Sequence, residues 1–320
     1  MNNDFIYKLY RSSKSNYNLN LLSYTPLTSK SYKVTTKDNE KYVVKKIKNK
    51  SKNKYKYLKN QGLDNIIYPI PNIEDLLYTR VTNLGCEDEC YCVMPYIDDN
   101  NVLNQTKAKA LLEQLSILHN KTSFNKNISL IKSKKKMEEV IQYLDYKFNI
   151  IESYVRVIEA QPFDEFSIPI LKNYHYILDA KRVLIEKNRI IVNAIKSEKS
   201  VTYCFIHNNP KLDHLIFSNG EKYLISIDNG VIGIPSLDIA KFYIENEDID
   251  YDISSDIKAY FDTYEDSFYI DYFIFLVLFI YIRDLIVDKK CYICTQNFIY
   301  ISNAIKKFNK SFDLIKQTEK

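Results

Sequence analysis

Cys204-Phe-Ile-His207-Asn-Asn209-Pro-Lys-Leu-Asp-His214-Leu-Ile-Phe217 is followed by Tyr223-Leu-Ile-Ser-Ile-Asp228 and then by Gly233-Ile-Pro235-Ser-Leu-Asp238-Ile-Ala240. Two β-rich runs flank a polar loop in which His207 stands two residues before Asn209 and seven before His214. The second run closes on Asp228, which opens an Asp-Asn-Gly turn signal. The spacing therefore predicts a strand, a polar loop and a further strand that ends in a carboxylate.

Around this stretch the chain has the composition of an ordinary globular protein, with 46% hydrophobic and 27% charged residues over a length of 320. That length suffices for one two-lobed domain or two small ones. A formal charge of +5 is too mild to imply nucleic acid by itself. Nine lysines lie in residues 41–59, and Lys132-Ser-Lys-Lys-Lys136 adds a second basic run. From Lys46 to Lys56 every second residue is Lys, which is no helical face, and residues 245–252 carry offsetting acids. A solvated surface is the expected reading, and nucleic acid is not expected as a partner.

Six cysteines in a chain of this length, with no basic start and apolar core of a secretory signal at its first residues, do not read as a disulfide framework. Cys86-x3-Cys90-x-Cys92 and Cys291-x-x-Cys294 have spacings that zinc can use, but Cys92 alternates into an apolar strand, so buried reduced thiols are expected. The apolar run of residues 272–282, bracketed by Asp271 and Arg283, is well short of the roughly 20 residues a membrane span needs. It reads as a buried helix, and cytoplasmic residence is the expectation.

Ser31-Tyr-Lys-Val-Thr-Thr36 and Lys41-Tyr-Val-Val-Lys-Lys-Ile47 are β-rich and separated by Asp38-Asn39, a hairpin signal. Residues 51–61 form a helical candidate closed by Gly62. Residues 66–70 read as a strand, and residues 77–84 and 89–97 as a hairpin around Gly85. The character changes after Met94-Pro-Tyr-Ile-Asp98. Thr106 is the expected N-cap of a helix whose stripe is Ala108, Leu111, Leu112, Leu115 and Leu118. Helical patterns continue over 137–158 and 170–195, residues 201–227 return to β character, and residues 234–320 are again mostly helical. The expected fold class is α+β, with a small antiparallel β-rich N-lobe at 1–97 and a larger helical C-lobe at 98–320 that carries the loop segment 202–242.

This order, with the His207 segment, Leu118-His-Asn-Lys-Thr122 after a helix and Tyr91-Cys-Val-Met-Pro-Tyr96 as a hinge, resembles the aminoglycoside phosphotransferase and choline kinase-like branch of the protein-kinase superfamily. Among its members the bacterial spore-coat kinase-like proteins are the most similar in flavour. The resemblance implies a bilobal protein-kinase-like fold, ATP and magnesium as cofactors, and phosphoryl transfer that depends on positioning and charge neutralisation. It assigns His207 and Asn209 to the catalytic loop, with Asn209 where a base Asp is expected. It puts His214 on the position of a metal-binding Asn, and Asp228 on that of the strand-end metal-binding Asp. Lys45, with Lys46 facing the opposite side of its strand, matches the Lys that pairs with nucleotide phosphates, and Met94 lies at the nucleotide-contacting hinge. Asp238 matches a structural Asp that anchors the loop.

Four departures weigh against ordinary activity. A carboxamide at Asn209 cannot take a proton near neutral pH, and general base catalysis is worth about 10²–10⁴-fold. Imidazole at His214 suits magnesium poorly. Residues 51–61 offer Lys45 no Asp or Glu, and Tyr24-Thr-Pro-Leu-Thr-Ser-Lys-Ser31 has no Gly with which to approach phosphates. The leading expectation is a degenerate kinase-like protein acting as a binding or scaffolding module for a protein or small molecule, spore-associated if its host sporulates, with ATP and magnesium bound weakly or not at all. The alternative is an active ATP-dependent small-molecule phosphotransferase with an atypical catalytic loop, in which Asp213 could be recruited as base. A basic nucleic-acid-associated protein would require the His207–Asp228 spacing to be accidental.

Overall fold

Antiparallel pairing dominates the first hundred residues because their apolar positions alternate and their turns are built from turn-forming side chains. The computed structural model describes residues 10, 13–47, 52–81, 89–128 and 130–315. These fall into two compact units, one of Met1–Thr122 with His207–Val231, the other of Ser123–Ile206 with Ile232–Lys320. The loop segment thus belongs partly to the first of these units.

In the first unit, strands β1 (Leu21–Thr28), β2 (Ser31–Thr36), β3 (Lys41–Ile47), β4 (Thr79–Val81) and β5 (Glu89–Pro95) form one sheet in the order β1-β2-β3-β5-β4. All its neighbouring pairs are antiparallel. Asn39 takes a left-handed φ of 66° in the β2–β3 turn, which Asn tolerates better than most residues. Register pairs Lys45 with Cys92 and Val43 with Met94. Alternation then sends Val44 to one face, where it packs with Val34, Tyr91, Val93, Tyr17 and Leu21. Val43 and Lys45 occupy the other face.

Helix α1 (Lys52–Asn60) buries Tyr55 and Leu58, which are three residues apart. Gly62, at φ +67°, ends it as a left-handed C′ residue. Residues 66–70 make only an isolated parallel bridge, Ile66 to Leu224, rather than the expected strand. Pro69 and Pro71 remove alternate N–H donors, and no ladder can form without them. The β4–β5 pairing is present as expected, while Gly85 and Cys86 lie outside the described residues. Helix α2 (Asn104–Lys121) buries the whole expected stripe, but it starts two residues before Thr106, with Leu103 at the N-cap and no side-chain cap bond.

The remainder of this unit is the loop segment. A 3₁₀ turn at Leu212–His214 leads into the hairpin of β8 (Leu215–Ser218) and β9 (Glu221–Leu224). Asn219 and Gly220 both have positive φ in its two-residue turn, as a twist-matched hairpin turn requires. The strand stops at Leu224, earlier than expected. Ser226 is left-handed at φ 63°, and Asp228 sits on a second 3₁₀ turn, Ile227–Asn229.

The second unit is mostly helical. A small sheet in the order β10-β7-β6 joins β6 (Phe124–Asn127), β7 (Ser200–Ile206) and β10 (Val231–Gly233). The helices are α3 (Leu130–Glu159), α4 (Ser167–Lys196), α5 (Ser236–Glu245), α6 (Ser254–Phe261), α7 (Phe268–Asp284) and α8 (Tyr292–Ser311). Helix α7 contains the expected apolar run, and Phe273, Val277 and Leu278 are buried. Tyr243 packs its ring edge-on against Phe273, Phe308 and Phe312, so the aromatic stripe is core. Each fully buried Phe, such as Phe298 and Phe308, contributes about 2–3 kcal/mol of transfer free energy. Among the described residues no helix is long and apolar enough to cross a membrane.

Cys90, Cys92, Cys204 and Cys294 are buried free thiols and Cys291 is half-buried. Among the described residues no three His, Cys, Asp or Glu side chains come together to hold a metal.

Candidate active site

Strand β3, the left-handed Ser226 and the following 3₁₀ turn bring Lys45 and Asp228 together across 183 residues of sequence. The Lys45 ammonium lies 2.5 Å from Asp228 Oδ1, and both side chains are 14% exposed, so the pair is largely shielded from water. Lys45 Nζ also donates to Ser226 Oγ at 3.3 Å. A left-handed non-glycine residue costs about 1–2 kcal/mol, and here it turns the chain so that Asp228 faces the sheet.

Lys54, on α1, donates from Nζ to the Asp228 backbone carbonyl at 2.7 Å. Its neighbour Tyr55 is buried, and its hydroxyl has no hydrogen-bond partner. Burial raises the Tyr55 phenol well above its ordinary pKa, with Cys92, Asp228 and Tyr68 adding to the effect. The Cys92 thiol is pushed up to about 12, first by burial, with the Lys45 charge opposing and the Asp228 charge reinforcing the shift. Cys92, the cross-strand partner of Lys45, is thus a buried protonated thiol, and the chemistry of a reactive thiolate is not open to it.

His207 is fully buried. Its Nδ1 accepts the Asn209 N–H at 3.3 Å, which fixes the tautomer and makes Nε2 the donor to the Ile225 carbonyl at 2.7 Å. The imidazole therefore ties the loop to the end of the β9 hairpin. The Asn209 carbonyl accepts His214 Nδ1 at 2.7 Å and the Lys211 N–H at 3.0 Å. Both backbone polar groups of Asn209 are held, so its carboxamide is set by a rigid frame. The same bond makes His214 Nδ1 a donor, so a neutral His214 carries its lone pair on Nε2, 3.9 Å from Asp213 Oδ1.

A cavity of about 260 Å³ adjoins these groups. Its apolar wall is Leu27, Val43, Ile67, Met94, Ile216 and Ile225, and its polar groups are Lys45, Thr28, Ser31, Ser226, Asp213 and His214. Apolar walls with a few convergent polar groups are the usual form of a small-molecule site. Thr28 and Ser31 flank the glycine-free β1–β2 turn, in which the Thr28 hydroxyl accepts the Lys30 N–H at 3.2 Å. A side-chain bond thus shapes the turn that lacks Gly.

Lys45, Met94 and His214 therefore line one cavity, with Asp228 on the Lys45 ammonium and Asn209 on the His214 ring. Asp238 is fully buried in the first turn of α5, in the other unit. Lys54, Tyr55 and Ser226 escaped sequence reasoning. The buried pair Tyr55 and Leu58 is a readable helical face, but the surrounding lysines hide it.

No protein-family model matches the sequence, and no curated protein does. Solved structures do match the fold. An aminoglycoside phosphotransferase from Alicyclobacillus acidocaldarius aligns over 94% of both chains with a TM-score of 0.65 at 12% identity. The AMP-bound complex of a spectinomycin phosphotransferase aligns over 98% of this chain and 99% of its own, with a TM-score of 0.57 at 14% identity. A microcompartment-associated aminopropanol kinase gives 0.55 at 11% identity, over 98% and 99%. The chain thus has the aminoglycoside phosphotransferase type of protein-kinase-like fold, an α+β fold with a small antiparallel N-terminal sheet and a helical C-terminal part.

The side chains suit a nucleotide better than a magnesium ion. The apolar cavity can take a base, and Lys45 can meet a phosphate. Magnesium asks for near-octahedral oxygen ligands, whereas the described groups here are the Asp228 carboxylate, already on Lys45, the exposed Asp213 carboxylate and the His214 imidazole nitrogen. The His214 nitrogen is the group of this set that suits that ion poorly.

Proposed function

We propose that this protein is a kinase-fold binding module with a pocket that takes the base of a nucleotide and without the proton acceptor of a working phosphotransferase. The observation that carries the reading is Asn209. Its main chain is fixed by His207 and His214, and its side chain is an amide that cannot act as a base. Support comes from the fold neighbours, one of them solved with AMP, and from the Lys45–Asp228 pair beside an apolar cavity. In this role nucleotide binding is weak and serves to set the conformation of a module whose partner is a protein or a small molecule. The spore-coat partner in a sporulating host, reached from the cytoplasm, is part of this proposal and rests on the resemblance of the sequence alone.

The test compares ATP consumption by the wild type with that of Asp228→Ala, alongside thermal melting with ATP. A ligand at 100 times its Kd adds about 2.7 kcal/mol to stability, which melting detects. Equal turnover in the two proteins, with a nucleotide-dependent melting shift in the wild type, supports the reading. ATP consumption clearly above the Asp228→Ala level overturns it.

One observation favours a second reading, an active small-molecule phosphotransferase. His214 lines the cavity with its Nε2 lone pair near Asp213, whose side chain is 78% exposed. An imidazole with a lone pair on Nε2 is able to accept the proton of a substrate hydroxyl. Under that reading His214→Ala abolishes an ATP turnover that the wild type possesses.

A further inference from the structure

We propose that Cys291 and Cys294 form a thiol–disulfide exchange site, in which Cys291 attacks the disulfide of a partner and Cys294 closes a bridge within the motif. The site lies wholly in the second unit, at the start of α8 (Tyr292–Ser311), and is independent of the nucleotide reading.

The segment Cys291-Tyr-Ile-Cys294 folds as the first turn of a 20-residue helix, with Cys291 as its extended N-cap. An N-cap side chain stands against the N–H groups of the second and third helical residues, here Ile293 and Cys294, which have no partner within the helix. Those donors and the positive end of the helix dipole favour an anion, which for a cysteine is the thiolate. The Cys291 thiol pKa is lowered, first by the Cys294 N–H and the Cys294 thiol, then by the Ile293 N–H and the Lys289 charge, with burial opposing. Of the other charges just before it, Asp288 is exposed and Lys290 is held 2.7 Å from Asp164.

The two thiols differ in the way exchange requires. Cys291 is half-buried and open to a partner, whereas Cys294 is only 4% exposed. The hydrogen bond from the Cys294 thiol to the Cys291 sulfur brings the two sulfurs together. Tyr154, on α3, donates to the Lys289 carbonyl at 3.4 Å, and its phenol is pushed up to about 12 by burial and then by the charges of Cys294 and Cys291. Both thiols therefore stand near one side chain. Cys90, Cys92 and Cys204 are buried, and burial raises the thiols of Cys92 and Cys204, so none of these three competes for a partner.

In the first step the Cys291 thiolate bonds to one sulfur of the partner disulfide, and the other sulfur leaves as a thiolate that takes up a proton. Cys294 then loses its proton and attacks the Cys291 sulfur, which expels the second partner thiolate. Two electrons and two protons pass from the motif to the partner disulfide, which is the oxidant. Tyr292 and Ile293, exposed between the cysteines, offer an apolar surface to a peptide that carries the disulfide.

The experiment exposes the reduced full chain at neutral pH to oxidised glutathione or to a cystine-bridged peptide of apolar sequence. Remaining thiols are blocked with N-ethylmaleimide, and peptides are read by mass spectrometry. The wild type should yield a bridged Cys291–Cys294 peptide lighter by two hydrogens, with Cys92 and Cys204 still blocked, and dithiothreitol should restore both thiols. The bridge should form sooner with the peptide; faster reaction with glutathione supports the exchange site and assigns it to a low-molecular-weight disulfide. Cys294→Ser should accumulate the mixed disulfide at Cys291. Cys291→Ser, which keeps a good N-cap residue, should slow reaction at Cys294 at least tenfold. Three results in the wild type overturn the proposal: Cys291 left as a blocked thiol, a stable mixed disulfide there, or a bridge from Cys291 to another cysteine.

Discussion

Breaking the Lys45–Asp228 pair is the perturbation that tests most directly whether the pocket exists in solution. At 2.5 Å and an effective dielectric near 20 the attraction is about 6–7 kcal/mol before desolvation is subtracted. Each side chain keeps 14% of its exposure, so much of that gain is offset by lost hydration. Removing one partner of a fully buried pair costs about 3–5 kcal/mol, and for this slightly exposed pair we expect about 2–3 kcal/mol from Lys45→Met or from Asp228→Asn. The double variant should lose less than the sum of the two, by a coupling energy of at least about 1 kcal/mol. Lys54, bound to the Asp228 carbonyl, remains in every variant and cancels in the cycle. Urea denaturation followed by far-UV circular dichroism gives the four stabilities, provided the slopes agree. Strictly additive losses would falsify the pairing, and with it the site built on it.

Other outcomes follow from single residues. Asn209→Asp restores a carboxylate on the held loop, yet with His214 unchanged and no helix acid its ATP turnover should stay within about tenfold of wild type; a rise toward the full general-base factor of about 10²–10⁴ would show that the base alone was missing. Asp266 titrates low: burial opposes this, but the Lys199 ammonium and the Phe268 N–H, 2.9 Å from Oδ1, outweigh it. With the folded pKa below the unfolded one, its stabilisation is complete above about pH 4 and disappears as pH falls through the folded value. Asp266→Asn should therefore lower the melting temperature at pH 7, and by progressively less as pH falls below about 4; an effect that stays constant with falling pH would refute the assignment. Backbone and side-chain hydrogen bonds from Cys294 lower the thiol pKa of Cys291, at the N-cap of α8, whereas burial raises Cys92 and Cys204. Brief alkylation at neutral pH, read by peptide mass spectrometry, should modify Cys291 at least tenfold faster than either; faster labelling of Cys92 would show that the strand does not bury it.

The chain itself determined the pieces whose information is local. Alternation fixed β2 and β3, a left-handed Asn39 made their turn, Gly62 ended α1, and the apolar stripe from Ala108 to Leu118 became the inner face of α2. The same alternation told Lys45 from Lys46, because successive side chains of a strand point to opposite faces. Where Pro69 and Pro71 interrupt an apolar run, composition suggested a strand and the missing N–H donors forbade it. Only tertiary structure decided what Lys45 meets. Its partners Ser226 and Asp228 are 181 and 183 residues away, and the bond from Lys54 to Asp228 spans 174. Periodicity shows which face of an element is buried but carries no register between elements so far apart. Lys54 and Tyr55 therefore looked like one more surface lysine and one more apolar position. Folding placed both beside the carboxylate on which the site is built.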